Sequence, residues 1–369
     1  MNQLFRWDQT GLFLLALAAG ILPFAVPEIC AAALREGLTL CSGPLLLSLF
    51  PFLVVSRLLI QCPESDLLAL PFRLAAWGIG IRTPCAARVL CIGFLGGFAP
   101  AASAAAQAVR TGQLTAEEAD ALLPACICSG PSFVVLTVGQ SLLGSAELGV
   151  LLFASQITAN YLTAALLNRF AGVRSVKPES AAPASPAPPR LDEILADAAI
   201  TYCKLCGFIL FFRMLAAGAG ALLPAGAGTL CSILLEVCSG CDLASRTGRW
   251  GSLLCCAALS VQGLSVLLQV RTICPPEMTL RPLYRSRLLH LPLSLALFYL
   301  LLPGGEADVF STLPARVLLM RRVPPDCALL VFAVCCMAAC TLRGEIRQVE
   351  QKQMARNAGG CCINSKTLL

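Results

Sequence analysis

Two uncharged apolar runs decide the fold: VLCIGFLGGFAPAASAAAQAV, Val89–Val109, and LLPACICSGPSFVVLTVGQSLL, Leu122–Leu143. Each is about the ~20 residues a helix needs to cross a bilayer core. Both are interrupted. Gly93, Gly96, Gly97 and Pro100 break the first ahead of the small-residue segment Ala101–Ala106, which ends in the polar Gln107, and Cys128-Ser129-Gly130-Pro131 breaks the second. Non-helical backbone at membrane depth survives only where protein or a watery cavity satisfies it, so paired broken segments predict a central site of the transporter kind.

Composition supports this class. The chain has 369 residues, 57% hydrophobic and 13% charged, with a mean hydropathy of +0.78. That profile predicts an all-α polytopic membrane protein and excludes an ordinary soluble domain. Its 27 basic and 21 acidic residues give a net charge of +6. The basic residues are scattered along connections, so no nucleic-acid partner is expected. Most of the 21 cysteines lie in apolar runs, as at Cys255-Cys256 and Cys335-Cys336, where Cys acts as a small hydrophobe. The C-x-x-C pairs Cys203/Cys206 and Cys238/Cys241 lack histidine companions, since the chain's only His is His290. No metal or cofactor is therefore expected, and the thiols are read as reduced.

Outward from the two broken runs, roughly eight membrane segments are predicted. Gly11–Ala33 is a first, retained helix, too long and too broken by Pro23, Pro27 and Glu28 for a cleavable signal. Leu38–Ile60 follows, with turns broken at Pro44 and Pro51, and Leu67–Ile81 is short and carries Arg73, as an interfacial helix would. Thr115 is placed to cap a helix whose first turn holds Glu117 and Glu118. Leu148–Leu167 holds Gln156, Thr158 and Asn160. Asn160 reads either as a helix-to-helix hydrogen bond or as part of a polar pathway. Ala198–Leu223, Leu230–Ser239, Gly251–Val270, Leu288–Leu302 behind the basic cluster Arg281, Arg285 and Arg287, and Cys327–Leu342 complete the set.

The organisation read from this pass is an N-terminal helix region (1–37), a first repeat (38–170), a linker (171–192), a second repeat (193–303), a C-terminal helix region (304–343) and a basic tail (344–369). Five prolines between Pro178 and Pro189 make the linker extended and solvated. Its basic flanks, like those of the tail, favour the cytoplasm. A repeat is suggested because Ala101-x-Ser103-x-x-x-Gln107 overlays Gly263-x-Ser265-x-x-x-Gln269, and Pro51–Arg57 resembles Gly207–Arg213. Inverted repeats with broken helices place a binding site at their interface.

The motifs in this order carry a family resemblance. Gly97-Phe98 with its small-residue run, Leu114-Thr115-x-x-Glu118-Ala119-x-x-Leu122-Leu123, Cys128-Ser129-Gly130-Pro131, Leu234-Leu235-Glu236-Val237-Cys238-Ser239-Gly240 and Gln262-Gly263-Leu264-Ser265 resemble the sporulation integral membrane proteins of YlbJ type. Those carry the nucleoside-recognition gate domain, which is similar to parts of concentrative nucleoside transporters and of ferrous-iron transport protein B. The resemblance runs from about Leu38 to Leu302. It implies a multi-pass protein of a bacterial cell membrane that acts in spore cortex formation as a carrier or gate for a small polar solute. A non-transporting scaffold of a sporulation complex is the alternative, and the implied partners are the bilayer, the solute, and a second copy or other sporulation membrane proteins. One departure is clear: where the family reads Ser-Gly-Tyr-Pro-x-Gly-Ala-Lys, this chain has Gly96–Ser103 without the lysine.

Candidate solute-binding residues are Ser103, Gln107, Ser129, Gly130, Asn160, Glu236, Gln262 and Ser265, polar or broken positions in apolar surroundings. Glu236 leads, either as a functional carboxylate or as the partner of Lys204 or Arg213. Ser129, Gly130 and Pro131 either open a helix end with free N–H groups or form a simple kink. An enzyme is not expected: there is one His, no phosphate-binding loop, and no carboxylate pair at catalytic spacing.

Overall fold

The computed structural model describes residues 9–61, 65–172 and 191–302. The Cys327–Leu342 segment, the tail and nearly all of the linker lie outside these residues. Among the described residues every regular element is helical. The chain opens with α1 (Gln9–Ala25), α2 (Pro27–Ser42) and α3 (Pro44–Gln61), then two short helices, α4 (Ser65–Leu68) and α5 (Leu70–Gly78). The expected first span is not one helix, because α1 and α2 bend by 108° around Val26, where Pro27 starts the new helix. Pro44 likewise starts α3, whereas Pro51 is carried inside it.

Four helices are then broken, two before and two after a pair of continuous ones. α6 (Pro84–Gly96) and α7 (Phe98–Arg110) meet at Gly97. After α8 (Ala116–Cys126), residues 127–130 are non-helical, and the run resumes as a π-helix, Ser132–Leu142. π-turns of this kind are rare and gather at functional places. α9 (Ala146–Ala171) and α10 (Leu191–Leu222) are continuous. α11 (Ala225–Leu235) and α12 (Val237–Ser245) part at Glu236, and α13 (Gly251–Val261) and α14 (Gly263–Ile273) at Gln262. α15 (Arg281–Leu301) is the last described helix. It takes in the basic cluster expected ahead of it, so Arg281, Arg285 and Arg287 are helical.

α9, α10 and the stretch Gly248–Ile273 are long and apolar enough to cross a membrane, and the bent α1–α2 pair makes a fourth if counted as one span. Shorter apolar helices such as Pro84–Gly96 and Ser132–Leu142 fill the bundle. α15 shows how burial is arranged. Its inward stripe is Leu283, Ser286, Arg287, His290, Ser294 and Phe298, at the three-and-four spacing of one helix face, while Leu288 and Leu300 are 78% and 77% exposed. Polar groups inside and leucines outside invert the soluble pattern and suit a lipid surround.

The centre is α7, in which every alanine is buried. With methyl groups for side chains it packs closely on α3, α6, α8 and α14. Where lipid removes the hydrophobic drive between helices, such small-residue approach is what holds them. The same device joins the π-helix to α9, since a Cβ on Gly139 would sit 2.5 Å from the Gly149 Cα. The α8 start follows from its sequence: the Thr115 hydroxyl accepts from the Glu118 N–H at 3.1 Å and Glu118 answers to the Thr115 N–H, a complete capping box. One turn on, the buried Asp120 carboxylate accepts from Thr279 and Leu280 N–H groups at 2.8 and 3.0 Å, fixing the start of α15.

Candidate functional site

The four breaks cross in pairs. Gly97 has φ +81°, and a Cβ there would lie 2.6 Å from the Gly130 nitrogen. Gly263 has φ +66°, and its Cβ would lie 3.0 Å from the Glu236 nitrogen. Each crossing therefore needs backbone against backbone, and the positive φ adds a second reason for glycine. Between the crossings lies a cavity of about 60 Å³ lined by Gly96 and Phe98, by Ser129, Gly130 and Ser132, by Glu236 and Cys238, and by Gln269. At about 10–15 Å³ for one water, it holds several small polar atoms. The half-helices α7, the π-helix and α12 begin beside it with Phe98, Ser132 and Val237, so their N-terminal N–H groups and positive dipole ends gather there, while α14 lines it further along, at Val266 and Gln269.

Glu236 is 2% exposed and caps one of these starts. Its Oε1 accepts from the Cys238 N–H at 2.9 Å, and its Oε2 from the Ser239 N–H at 2.7 Å and the Ser239 hydroxyl at 2.9 Å. Charge-assisted bonds to a helix N-terminus explain how a carboxylate is held in an apolar bundle. The alternative ion pair with Arg213 is not formed: Arg213 donates to Glu36 at 2.7 Å and ties α10 to α2. Ser129 and Gly130 face the same cavity from the broken end of α8. No side chain caps α7, the π-helix or α14.

Gln269, which the sequence offered only as the counterpart of Gln107, belongs to the site. It is buried in the cavity wall and its amide nitrogen donates to the Ser265 hydroxyl at 2.9 Å, while its amide oxygen has no partner. Gln262 is fully buried at the break itself, donates to the Leu259 carbonyl at 2.9 Å, and also has an unpartnered oxygen. Ser265 thus acts one layer back, orienting Gln269.

Asn160 lies elsewhere, with Arg287. Its amide nitrogen donates to the Ile127 carbonyl at 3.3 Å, and its oxygen accepts from Arg287 at 3.2 Å. Arg287 is 7% exposed and also reaches the Ile127 and Ser260 carbonyls, both at 3.5 Å. These carbonyls stand at the ends of α8 and α13, where helix dipoles are negative. Nearby, Gln156 donates to the Ser260 hydroxyl at 2.9 Å, and His290 bonds the Gln156 carbonyl at 3.2 Å. Sequence reading grouped Arg287 with Arg281 and Arg285 in a basic cluster ahead of the last apolar run, but its place on the stripe of Ser286, His290 and Ser294 could have marked it as inward.

Ser103 faces a different cavity, of about 150 Å³, with Arg57, Arg110, Asp197, Lys204 and Thr272. Arg57 and Asp197 form an ion pair at 2.5 Å there. Gln107 is half-buried and lines neither cavity. The described cysteines are free thiols, most of them buried, including Cys255 and Cys256 in the core. Comparison of the chain with protein families, with curated proteins and with solved structures gave no match.

Proposed function

We propose that this is a multi-pass membrane carrier or gate for a small polar solute, bound where the four helix breaks meet. The observation that carries the reading is one cavity lined by residues from all four broken helices, with a buried carboxylate at Glu236 and an unpartnered amide oxygen at Gln269. Two uncapped half-helix starts, those of α7 and the π-helix, offer N–H donors and Gln269 offers an acceptor, so a solute bearing both kinds of group would satisfy what the protein leaves open. In this reading the roughly eight-segment architecture is an inverted repeat. The crossings favour a register pairing Gly97 with Glu236 and Gly130 with Gly263, in place of the match between Ser103 and Ser265. The YlbJ-type resemblance gives the carrier a setting in the membranes of a sporulating bacterium, at cortex formation.

The test is mass spectrometry of small molecules retained by the purified chain, followed by thermal stability with and without each. A retained solute that raises the unfolding midpoint of the wild type, and fails to do so for Gln269→Leu and Glu236→Gln, is the expected result. Co-purifying membrane proteins with no solute effect would sink the carrier in favour of a scaffold.

A further inference from the structure

We infer that Arg287 is a tethered cation, occupying the place where a carrier built of broken helices would otherwise bind a coupling ion. The inference rests on the carrier reading for its meaning, though the site stands on its own geometry. Arg287 is buried, and among the described residues it forms no ion pair. Its guanidinium instead faces four neutral oxygens: the Ile127 carbonyl and the Ser260 carbonyl, each at 3.5 Å, the Asn160 amide oxygen at 3.2 Å, and the hydroxyl of its own neighbour Ser286 at 3.3 Å.

That donor set is what a hard monovalent cation takes in such proteins, where half-helix C-terminal ends and unwound carbonyls coordinate it. Each helix end carries about half a negative charge. Two of them, from α8 and α13, sum to roughly one, which a single guanidinium neutralises without a carboxylate. The oxygens come from both halves of the chain, Ile127 and Asn160 from the first and Ser260 from the second. A cation here therefore fastens the two broken helices to α15 and α9. Because this one is covalently attached, the assembled state needs no sodium. Any coupling must then come from another group.

The consequence can be read without measuring transport. The full chain, purified in detergent, is unfolded thermally in choline chloride, sodium chloride and guanidinium chloride at low millimolar concentrations. The wild type is expected to show the same midpoint in all three. Arg287→Ala leaves these oxygens and no cation, so its midpoint is expected to fall in choline and to recover saturably, by roughly 5 °C, when sodium or guanidinium is added. Arg287→Lys, which keeps a tethered charge, is expected to stay unresponsive to sodium. If Arg287→Ala cannot be recovered folded, Arg287→Gln, prepared in sodium chloride and exchanged into choline, is read the same way. A folded neutral variant that gains nothing from either cation overturns the inference, as does a wild type that sodium stabilises. Loss of solute binding in an otherwise cation-rescued variant would leave the tethered-cation assignment intact and count against the carrier reading alone.

Discussion

At Gly97 and Gly130 two breaks touch backbone to backbone and bring no charge. At Glu236 and Gly263 two others touch in the same way, and one of them adds a carboxylate. The contrast shows two solutions to one problem. A half-helix start inside a membrane protein exposes N–H groups that must find acceptors. The second crossing closes the α12 start with its own side chain, whereas the first leaves the starts of α7 and the π-helix without a side-chain cap beside the cavity. The first crossing is thus built for close approach and for offering donors, and the second for holding charge.

Substitution of the crossing glycines separates these roles most strongly. Gly97→Ala must relieve a 2.6 Å backbone approach and adopt a φ of +81°, and is expected to cost about 3–5 kcal/mol. Gly263→Ala, with contacts at 3.0 Å, is expected to cost about 2–3 kcal/mol. Gly112→Ala, at φ +69° with open space around it, calibrates the backbone term alone at about 1 kcal/mol. Thermal unfolding of the three purified variants checks the order, and equal costs would show that the crossings are not tight.

Glu236 comes next in size. Glu236→Ala strips the acceptors from the Cys238 and Ser239 N–H groups and is expected to lose about 2–4 kcal/mol, whereas Glu236→Gln keeps one acceptor and loses about 1–2 kcal/mol. Comparable midpoints for the two variants would mean that the cap is not what holds the second crossing. The smallest stability effect is expected at Gln269. Gln269→Leu removes a buried oxygen that has no partner, so stability changes by less than about 1 kcal/mol in either direction while solute-dependent stabilisation disappears. A large loss of stability with intact solute binding would assign Gln269 to packing.

The first crossing was legible in the sequence because Gly and Pro interrupt apolar runs there, at Gly96-Gly97 and Gly130-Pro131. The break at Glu236 was not, since Leu235 and Val237 favour helix or strand and only the carboxylate stood out. Gln262 lay within a stretch read as one uncharged span, and its positive φ is a tertiary effect of packing Gly263 against Glu236. Glu236 was found for its cost in an apolar run, yet its partner was missed: a helix N-terminus is a charge that no residue letter records. For the same reason Arg287 went unnoticed, because its counter-charges are carbonyls at the ends of α8 and α13.

The Asp120 grip on the start of α15 has a consequence for how the chain could be made. Asp120 lies before the linker and Thr279 after it, as do Asn160 and Arg287, Gln156 and Ser260, and Arg57 and Asp197. These bonds run between the two sides of the sequence and none passes through residues 173–190. Severed between Gly172 and Leu191, the protein would be a heterodimer with its interface already in place, and its two pieces, co-expressed with separate tags, would be purified as one.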